Sequence, residues 1–393
     1  MRKKRRRKPE VPSQTGNKSG LVLQWVITRL RQDFLLLTLL LMLLPLLMLM
    51  PEQWSGLPDL VNWPTIAALT GLMILSSALE GSGSLTHIGQ WSLRRLHGER
   101  RLAVFLVVFS ALLAAALTND IALFIVVPLT LGLRTIIALP VGRLVVFEAL
   151  AVNAGSALSP VGNPQNLYLW QASESSFLSF ASFMLPLGLL LTGLILLLIP
   201  LAFPAKRIEI DNLTMLPALN RSKAYTAAFL YPLFLIFLDQ GYGIAALTAL
   251  LLLYSTCWPS VMRGVDWQLL LTFILMFVVM GMASSLPLME TFVLWIEQLP
   301  GGLLTGAALL SQGISNVPAT IFLEPLSDDW RLLAWGVNIG GFGLAIASMA
   351  NLIALRLVRL KGVWWEFHRW SVPLLLVSWV LALGLLQVLP QPL

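Results

Sequence analysis

Apolar runs long enough to cross a bilayer alternate with short polar segments along most of the chain, and a few of those runs contain polar residues that a spanning helix avoids. Residues 1 to 20 are polar and read as disordered. Leu21 to Arg31, with Trp25, Arg29 and Arg31, predicts a short interfacial helix. Phe34 to Met50 predicts a first span stopped by Pro51, and an acidic loop with Pro and Trp leads to Trp63. Pro64 to Leu79 predicts a second span, followed by a loop with Arg94, Arg95, Arg100 and Arg101.

Leu102 to Leu133 is a long apolar run interrupted by Thr118-Asn119-Asp120. Each half falls short of the roughly 20 residues that cross a bilayer, so the pattern predicts a re-entrant hairpin with its tip at mid-membrane. Leu144 to Trp170 crosses once but is broken between Asn153 and Asn166, and Phe180 to Leu201 is an ordinary span. Beyond a polar linker, spans follow at Ala224 to Leu238, Ile244 to Trp258 and Trp267 to Ala283. Leu303 to Leu326 predicts a second hairpin with its tip at Ser315-Asn316, Leu332 to Leu360 a second broken span, and Val372 to Val388 a last span.

These interruptions form two matched copies. Asn119 precedes Pro128-Leu129 as Asn316 precedes Pro325-Leu326, and Asn153 precedes Asn166-Leu167 as Asn338 precedes Asn351-Leu352. Irregular backbone survives in a bilayer only when buried in protein or lining a wet cavity. Paired interruptions at corresponding places in two halves point to the binding site of a secondary transporter. The fold class that results is an all-α polytopic membrane protein of two inverted-topology repeats, each with a re-entrant hairpin and a broken transmembrane helix. Its segments are a basic cytoplasmic tail with the interfacial helix (1–33), a first repeat (34–205), a cytoplasmic linker (206–223) and a second repeat (224–393).

Composition fits a membrane protein: 57% of residues are hydrophobic, 11% are charged, and the mean hydropathy is +0.81. One cysteine, Cys257, excludes a disulfide framework, and His87, His97 and His368 lack metal-ligand spacing. The formal net charge of +7 and the run from Arg2 to Lys8 read as a cytoplasmic anchor that touches anionic lipid, rather than as a nucleic-acid site. No cleavable signal peptide is expected, because the first apolar run lies far from Met1 and no small-residue cleavage site follows it. The layout puts every Lys and Arg except Arg331 in the cytoplasm, with the N-terminus inside and the C-terminus outside. If Leu102 to Leu133 crossed the membrane, Arg134 and Arg143 would break that rule.

Both tips set a hydroxyl and an amide where a half-helix begins: Thr118 and Asn119, Ser315 and Asn316. Half-helix N-termini at mid-membrane aim N–H groups and a positive dipole end at one point, an anion site without a basic side chain. No Lys or Arg stands near the tips along the spans. Carbonyls freed around the breaks are hard donors suited to Na⁺, which makes Asn153, Gly155, Asn163, Asn166, Asn338, Gly340 and Asn351 the cation-coupling candidates. Simple helix capping also accounts for the tip residues, and close helix packing for the glycines. Asp120 stands where the second copy has Val317, and a mid-membrane carboxylate is read as a proton carrier, a cation ligand or a cap. Glu80, Glu148 and Glu324 are read as interfacial. No nucleophile–base pair or metal cluster is present, so no enzyme and no cofactor beyond a coupling Na⁺ or H⁺ is expected.

The segments Thr118-Asn119-Asp120-Ile121-Ala122, Gly162-Asn163-Pro164-Gln165-Asn166-Leu167 and Ser315-Asn316-Val317-Pro318-Ala319 resemble the citrate transporter-like families of the ion transporter superfamily. That group includes arsenite permeases and sodium/proton antiporters, with divalent-anion/sodium symporters more distant. The whole is most similar to bacterial inner-membrane proteins described as anion transporters. The resemblance implies a homodimer in a bacterial inner membrane, a scaffold with a mobile unit, and elevator-like alternating access. It also implies substrate contact at Thr118, Asn119, Ser315 and Asn316, and cations held by backbone around Asn153 to Gly155 and Asn338 to Gly340. The symporters carry Thr at the third tip position, where this chain has Asp120 and Val317. A fixed charge at Asp120 repels a dianion unless it is protonated or paired with a cation. The expected function is therefore secondary transport of a small anion coupled to H⁺ or Na⁺. A Na⁺/H⁺ antiporter using Asp120 is one alternative, and a non-transporting receptor or scaffold is another.

Overall fold

The computed structural model describes residues 34–93, 96, 98–133, 139–207 and 218–388. The basic tail, the interfacial helix, Arg94, Arg95, His97, Arg134 and much of the linker lie outside the described residues.

Among the described residues every element is helical. Helix α1 spans Phe34–Leu49 and leads through a 3₁₀ segment, Pro51–Leu60, to α2, Trp63–Glu80. Asn62 starts α2 by accepting a bond from the Thr65 N–H at 2.9 Å, with Pro64 in the first turn, where a missing N–H costs nothing. A short helix α3, Ser84–Leu93, occupies the stretch read as loop. The first interrupted run forms α4, Glu99–Ala116, and α5, Asn119–Leu133, which pack against each other with only Leu117 and Thr118 between them. The first broken span is α6, Val141–Ser156, and α7, Pro164–Ala172, and α8 follows at Phe177–Ala202.

The second part begins with α9, Arg221–Asp239, α10, Gly243–Cys257, a short α11, Pro259–Gly264, and α12, Trp267–Ser284. Next come α13, Leu288–Glu297, and α14, Gly302–Ile314, which is followed directly by α15, Asn316–Leu323. The second broken span is α16, Trp330–Ile339, and α17, Met349–Val358, with a 3₁₀ turn, Ala345–Ala347, in the break. The last helix, α18, runs Val363–Val388 and so starts nine residues before the expected span, because Trp364, Trp365 and Trp370 extend it as an amphipathic turn.

Among the described residues four helices are long and apolar enough to cross a membrane: Trp63–Glu80, Phe177–Ala202, Trp267–Ser284 and Val363–Val388. Asp266 and Asp329 cap α12 and α16 as Asn62 caps α2. Contacts occur in pairs that exchange the two parts of the chain. Helix α1 packs on α12 and α10 on α2; α4 packs on α6 and α14 on α16; α5 packs on α17 and α15 on α7. The two broken spans therefore cross, the first half of each lying against the helix pair of its own part and the second half against the helix pair of the other part.

Candidate functional site

Close approach at two glycines makes the crossing compact. A Cβ on Gly155 would stand 2.1 Å from the Ala111 carbonyl oxygen, and one on Gly340 would stand 2.7 Å from the Ser311 side chain and 3.0 Å from the Ala308 Cα. Ala111 and Ala308 each lie eight residues before the tip asparagine of their own pair, so the same contact is built twice. The packing alternative holds for these glycines, since the space at each is filled by helix.

Where the breaks meet, the asparagines pair across the two parts. Asn153 on α6 donates from Nδ2 to Asn351 Oδ1 on α17 at 2.7 Å and to the Ala149 carbonyl at 3.2 Å. Asn338 on α16 donates from Nδ2 to Asn166 Oδ1 on α7 at 2.7 Å and to the Ala334 carbonyl at 2.8 Å. The remaining oxygens follow the same rule: Asn153 Oδ1 accepts from Ser348 Oγ at 2.9 Å, and Asn338 Oδ1 accepts from Asn163 Nδ2 at 3.0 Å. Asn163 Oδ1 caps α7 through the Asn166 N–H at 2.8 Å. Asn351 Nδ2 reaches the Gly341 carbonyl at 2.9 Å, and Asn166 Nδ2 reaches that of Ser159 at 3.1 Å. All six side chains are buried, which makes an unmade bond costly and fixes the register of the crossing.

The structure brings the tip residues to the same region but gives them different tasks. Asn119 is buried; its N–H bonds the Gly162 carbonyl at 2.8 Å, and its Oδ1 accepts the Asp120 N–H at 2.9 Å. Two of the N–H groups expected to face a ligand at the first tip are thus occupied by protein. Asn316 is buried beside Gly341, where a Cβ would meet Asn316 Nδ2 at 3.3 Å and Asn153 Oδ1 at 3.4 Å. Ser315 holds φ 75° and ψ 153°, a region that is nearly glycine-only, and such strain gathers at ligand sites.

Thr118 and Asp120 line a cavity of about 460 Å³, walled on the other side by Glu80 of α2, by Asp266 at the N-cap of α12 and by Gln268 within it. Asp120 Oδ1 is buried there without a hydrogen-bond partner. Ser315 lines a second, more apolar cavity of about 210 Å³ with Thr38 and Met42 of α1. Arg356, in the last turn of α17, lines both. That corrects the expectation of no basic residue near the tips: Arg356 is five residues past Asn351 in sequence, and the α17–α5 packing carries it over the first tip. An arginine at the end of a half-helix inside an apolar run was the available signal.

One of the acidic residues, Glu148, also differs from expectation. Glu148 is not interfacial; it is fully buried on α6, accepting from Thr130 Oγ1 of α5, with Oε2 left without a partner. A rim position would need α6 to end near Glu148, whereas the helix continues to Ser156 and the residue faces α5. Glu324 accepts from Tyr168 Oη at 2.7 Å and so ties α7 to the end of α15. Glu80 is exposed to the larger cavity.

Comparison with known proteins fits this architecture. The family described as citrate transporter matches residues 22–340. The inner membrane protein YbiR of Escherichia coli is 41% identical over 342 residues, 86% of this chain and 91% of that protein. An uncharacterized transporter of Methanocaldococcus jannaschii is 34% identical over 307 residues, 76% of this chain and 82% of its own. A silicon efflux transporter of Oryza sativa is 31% identical over 139 residues, 35% of this chain and 29% of that protein.

Proposed function

The chain belongs to the citrate transporter family and is a multi-pass membrane transporter, and from that premise we propose that it moves a small oxyanion or carboxylate across a bacterial inner membrane by coupling to protons at Asp120. The observation that carries this reading is one cavity that holds both a carboxylate, Asp120, and a guanidinium, Arg356, neither of which has a side-chain partner among the described residues. A guanidinium is the side chain best matched to a planar oxyanion. A half-buried carboxylate with no hydrogen-bond partner among the described residues is free to take a proton or a cation.

In this reading the chain is two inverted repeats, 34–205 and 224–393, with α4–α5 and α14–α15 as re-entrant hairpins. The exchange of helix contacts between the two parts supports it. Thr118 and Ser315 offer hydroxyls to substrate, and Arg356 supplies the positive charge. Asn119, Asn316 and the crossing of five amides and the Ser348 hydroxyl hold the tips in place. The breaks around Asn153 to Asn166 and Asn338 to Asn351 are the candidate cation sites. The cavity has a wall of α2 and α12 and a wall of α5 and α17, so a rigid shift of the second wall past the first would carry the site across, an elevator motion of a homodimer. With the N-terminus in the cytoplasm, Glu80, Asp266 and Arg356 are cytoplasmic, and this conformation is open inward.

A second reading is favoured by the same cavity. Three carboxylates, Glu80, Asp120 and Asp266, face one guanidinium, a balance suited to a cation and thus to Na⁺/H⁺ exchange. Reconstituted vesicles separate the two. Dissipation of a pH gradient on adding citrate, succinate, arsenite or silicic acid supports the first reading. Dissipation on adding Na⁺ or Li⁺ alone supports the second, and a receptor or scaffold gives neither.

A further inference from the structure

The two breaks differ in what enters them from the preceding helix pair. Four residues before the tip asparagine, the first part has Ala115 and the second has Gln312. Six residues after the first asparagine of each break stand Ser159 and Leu344. In the first part Ser159 Oγ donates to the Ala115 carbonyl at 2.6 Å, and no amide enters the break from α4. In the second part Gln312 fills the break. Its Nε2 lies 2.8 Å from the Gly340 carbonyl oxygen, 3.1 Å from that of Phe342 and 3.1 Å from that of Ala308, and its Oε1 accepts the Leu344 N–H at 2.8 Å. Gly343 belongs to the same arrangement: at φ 91° a Cβ there would meet Gln312 Oε1 at 2.4 Å.

Three backbone carbonyls converging on one point are the donor set of a hard cation site in a broken helix. The corresponding carbonyls in the first break meet no such group; the Ala157 oxygen has only a 3.4 Å contact from Asn166 Nδ2. An amide nitrogen has two hydrogens for three acceptors, so it satisfies this set less completely than a cation does.

We propose that Gln312 is a built-in replacement for a coupling cation: its carboxamide nitrogen stands where the second break would hold Na⁺, and ion coupling is confined to the first part of the chain. This rests on the reading of the breaks as cation sites and deepens it. The donor set of the second break does not fit an added ion while Gln312 is in place. The two pseudo-equivalent sites are then not equivalent, and the ion stoichiometry is lower than the repeat implies.

The test is thermal unfolding of the purified full chain in detergent, followed by tryptophan fluorescence, with NaCl titrated against choline chloride at constant ionic strength. Wild type and Gln312→Ala are compared. Removing the amide leaves the Gly340 and Phe342 carbonyls without their donor, the Ala308 carbonyl staying within α14, so the variant melts below wild type in choline, and Na⁺ raises its melting temperature by more than it raises that of wild type. The rise grows with the logarithm of Na⁺ concentration, as binding to the folded state requires. Equal Na⁺ responses in the two proteins, including no response in either, overturn the proposal. If Gln312→Ala yields no folded protein, Gln312→Glu reads the same site with an oxygen where the nitrogen stood. It should melt low in choline and recover in Na⁺, and failure to recover overturns the proposal equally. A selective Na⁺ response in the variant alongside inert vesicles would sink the transport reading and leave this one standing. Na⁺-coupled flux with equal responses would do the reverse.

Discussion

Removing Asn338 measures how much the amide crossing contributes. In Asn338→Ala, three bonds disappear: Nδ2 to Asn166 Oδ1, Nδ2 to the Ala334 carbonyl, and Asn163 Nδ2 to Oδ1. The Ala334 carbonyl sits within α16, and Asn163 Nδ2 keeps Ser156 Oγ at 3.0 Å, so the group left bare is Asn166 Oδ1, on a side chain with no exposed surface. The orphaned buried acceptor costs about 1–3 kcal/mol and the other two lost bonds about 1 kcal/mol net each, so the single variant should lose about 3–5 kcal/mol. Asn166→Ala removes the orphan. The double variant should therefore be less damaged than the sum of the singles, by a coupling of about 1–2 kcal/mol. The assay is a reversible unfolding titration in mixed micelles on wild type, both singles and the double. The mirror cycle on Asn153 and Asn351 should give the same coupling within about 0.5 kcal/mol, because the same 2.7 Å bond is made there. Additive effects in both cycles would show that the breaks are not held by each other, and the crossing argument would fail.

Other expectations follow from the same geometry. Arg356→Ala should raise KM for the transported anion about tenfold, the value of one charge-assisted bond, with Arg356→Lys intermediate; an unchanged KM in uptake assays removes Arg356 from the site. Ser315→Gly should raise unfolding stability by about 1 kcal/mol, by relieving the φ 75° backbone, while weakening substrate binding; a stability loss would mean that the backbone is not strained. Gly155→Ala should lower stability by about 1–3 kcal/mol, because its Cβ would overlap the Ala111 backbone at 2.1 Å. Gly193→Ala in α8, with nothing within 4 Å, should raise it by about 1 kcal/mol, and equal effects would discount the close approach.

The helices and both breaks were legible because apolar runs and polar interruptions are local signals. The irregular backbone falls at Leu117–Thr118, at Ser315, between Ser156 and Pro164 and between Ile339 and Met349, within the stretches marked by their polar residues. The matched spacing also located the asparagines that meet at the centre. Their partners were not legible, because Asn153 pairs with Asn351 and Asn338 with Asn166 only once the two broken spans cross. Arg356 and Glu148 were misread for the same reason: helix packing, not sequence distance from a tip or a span end, turns one into the cavity and the other into the interior. Helices α3, α11 and α13 are short and lie between longer runs, where Gly and Pro read as loop.

The proposed role of Asp120 as carrier of the coupling proton is read most directly in proteoliposomes by comparing wild type with Asp120→Asn, with solute exchange at equilibrium measured beside accumulation driven by an imposed pH gradient. Asp120→Asn should keep exchange, because Thr118, Ser315 and Arg356 still form the site, and lose gradient-driven accumulation together with the accompanying proton flux. Accumulation that survives the substitution at the wild-type rate and pH dependence would contradict that role.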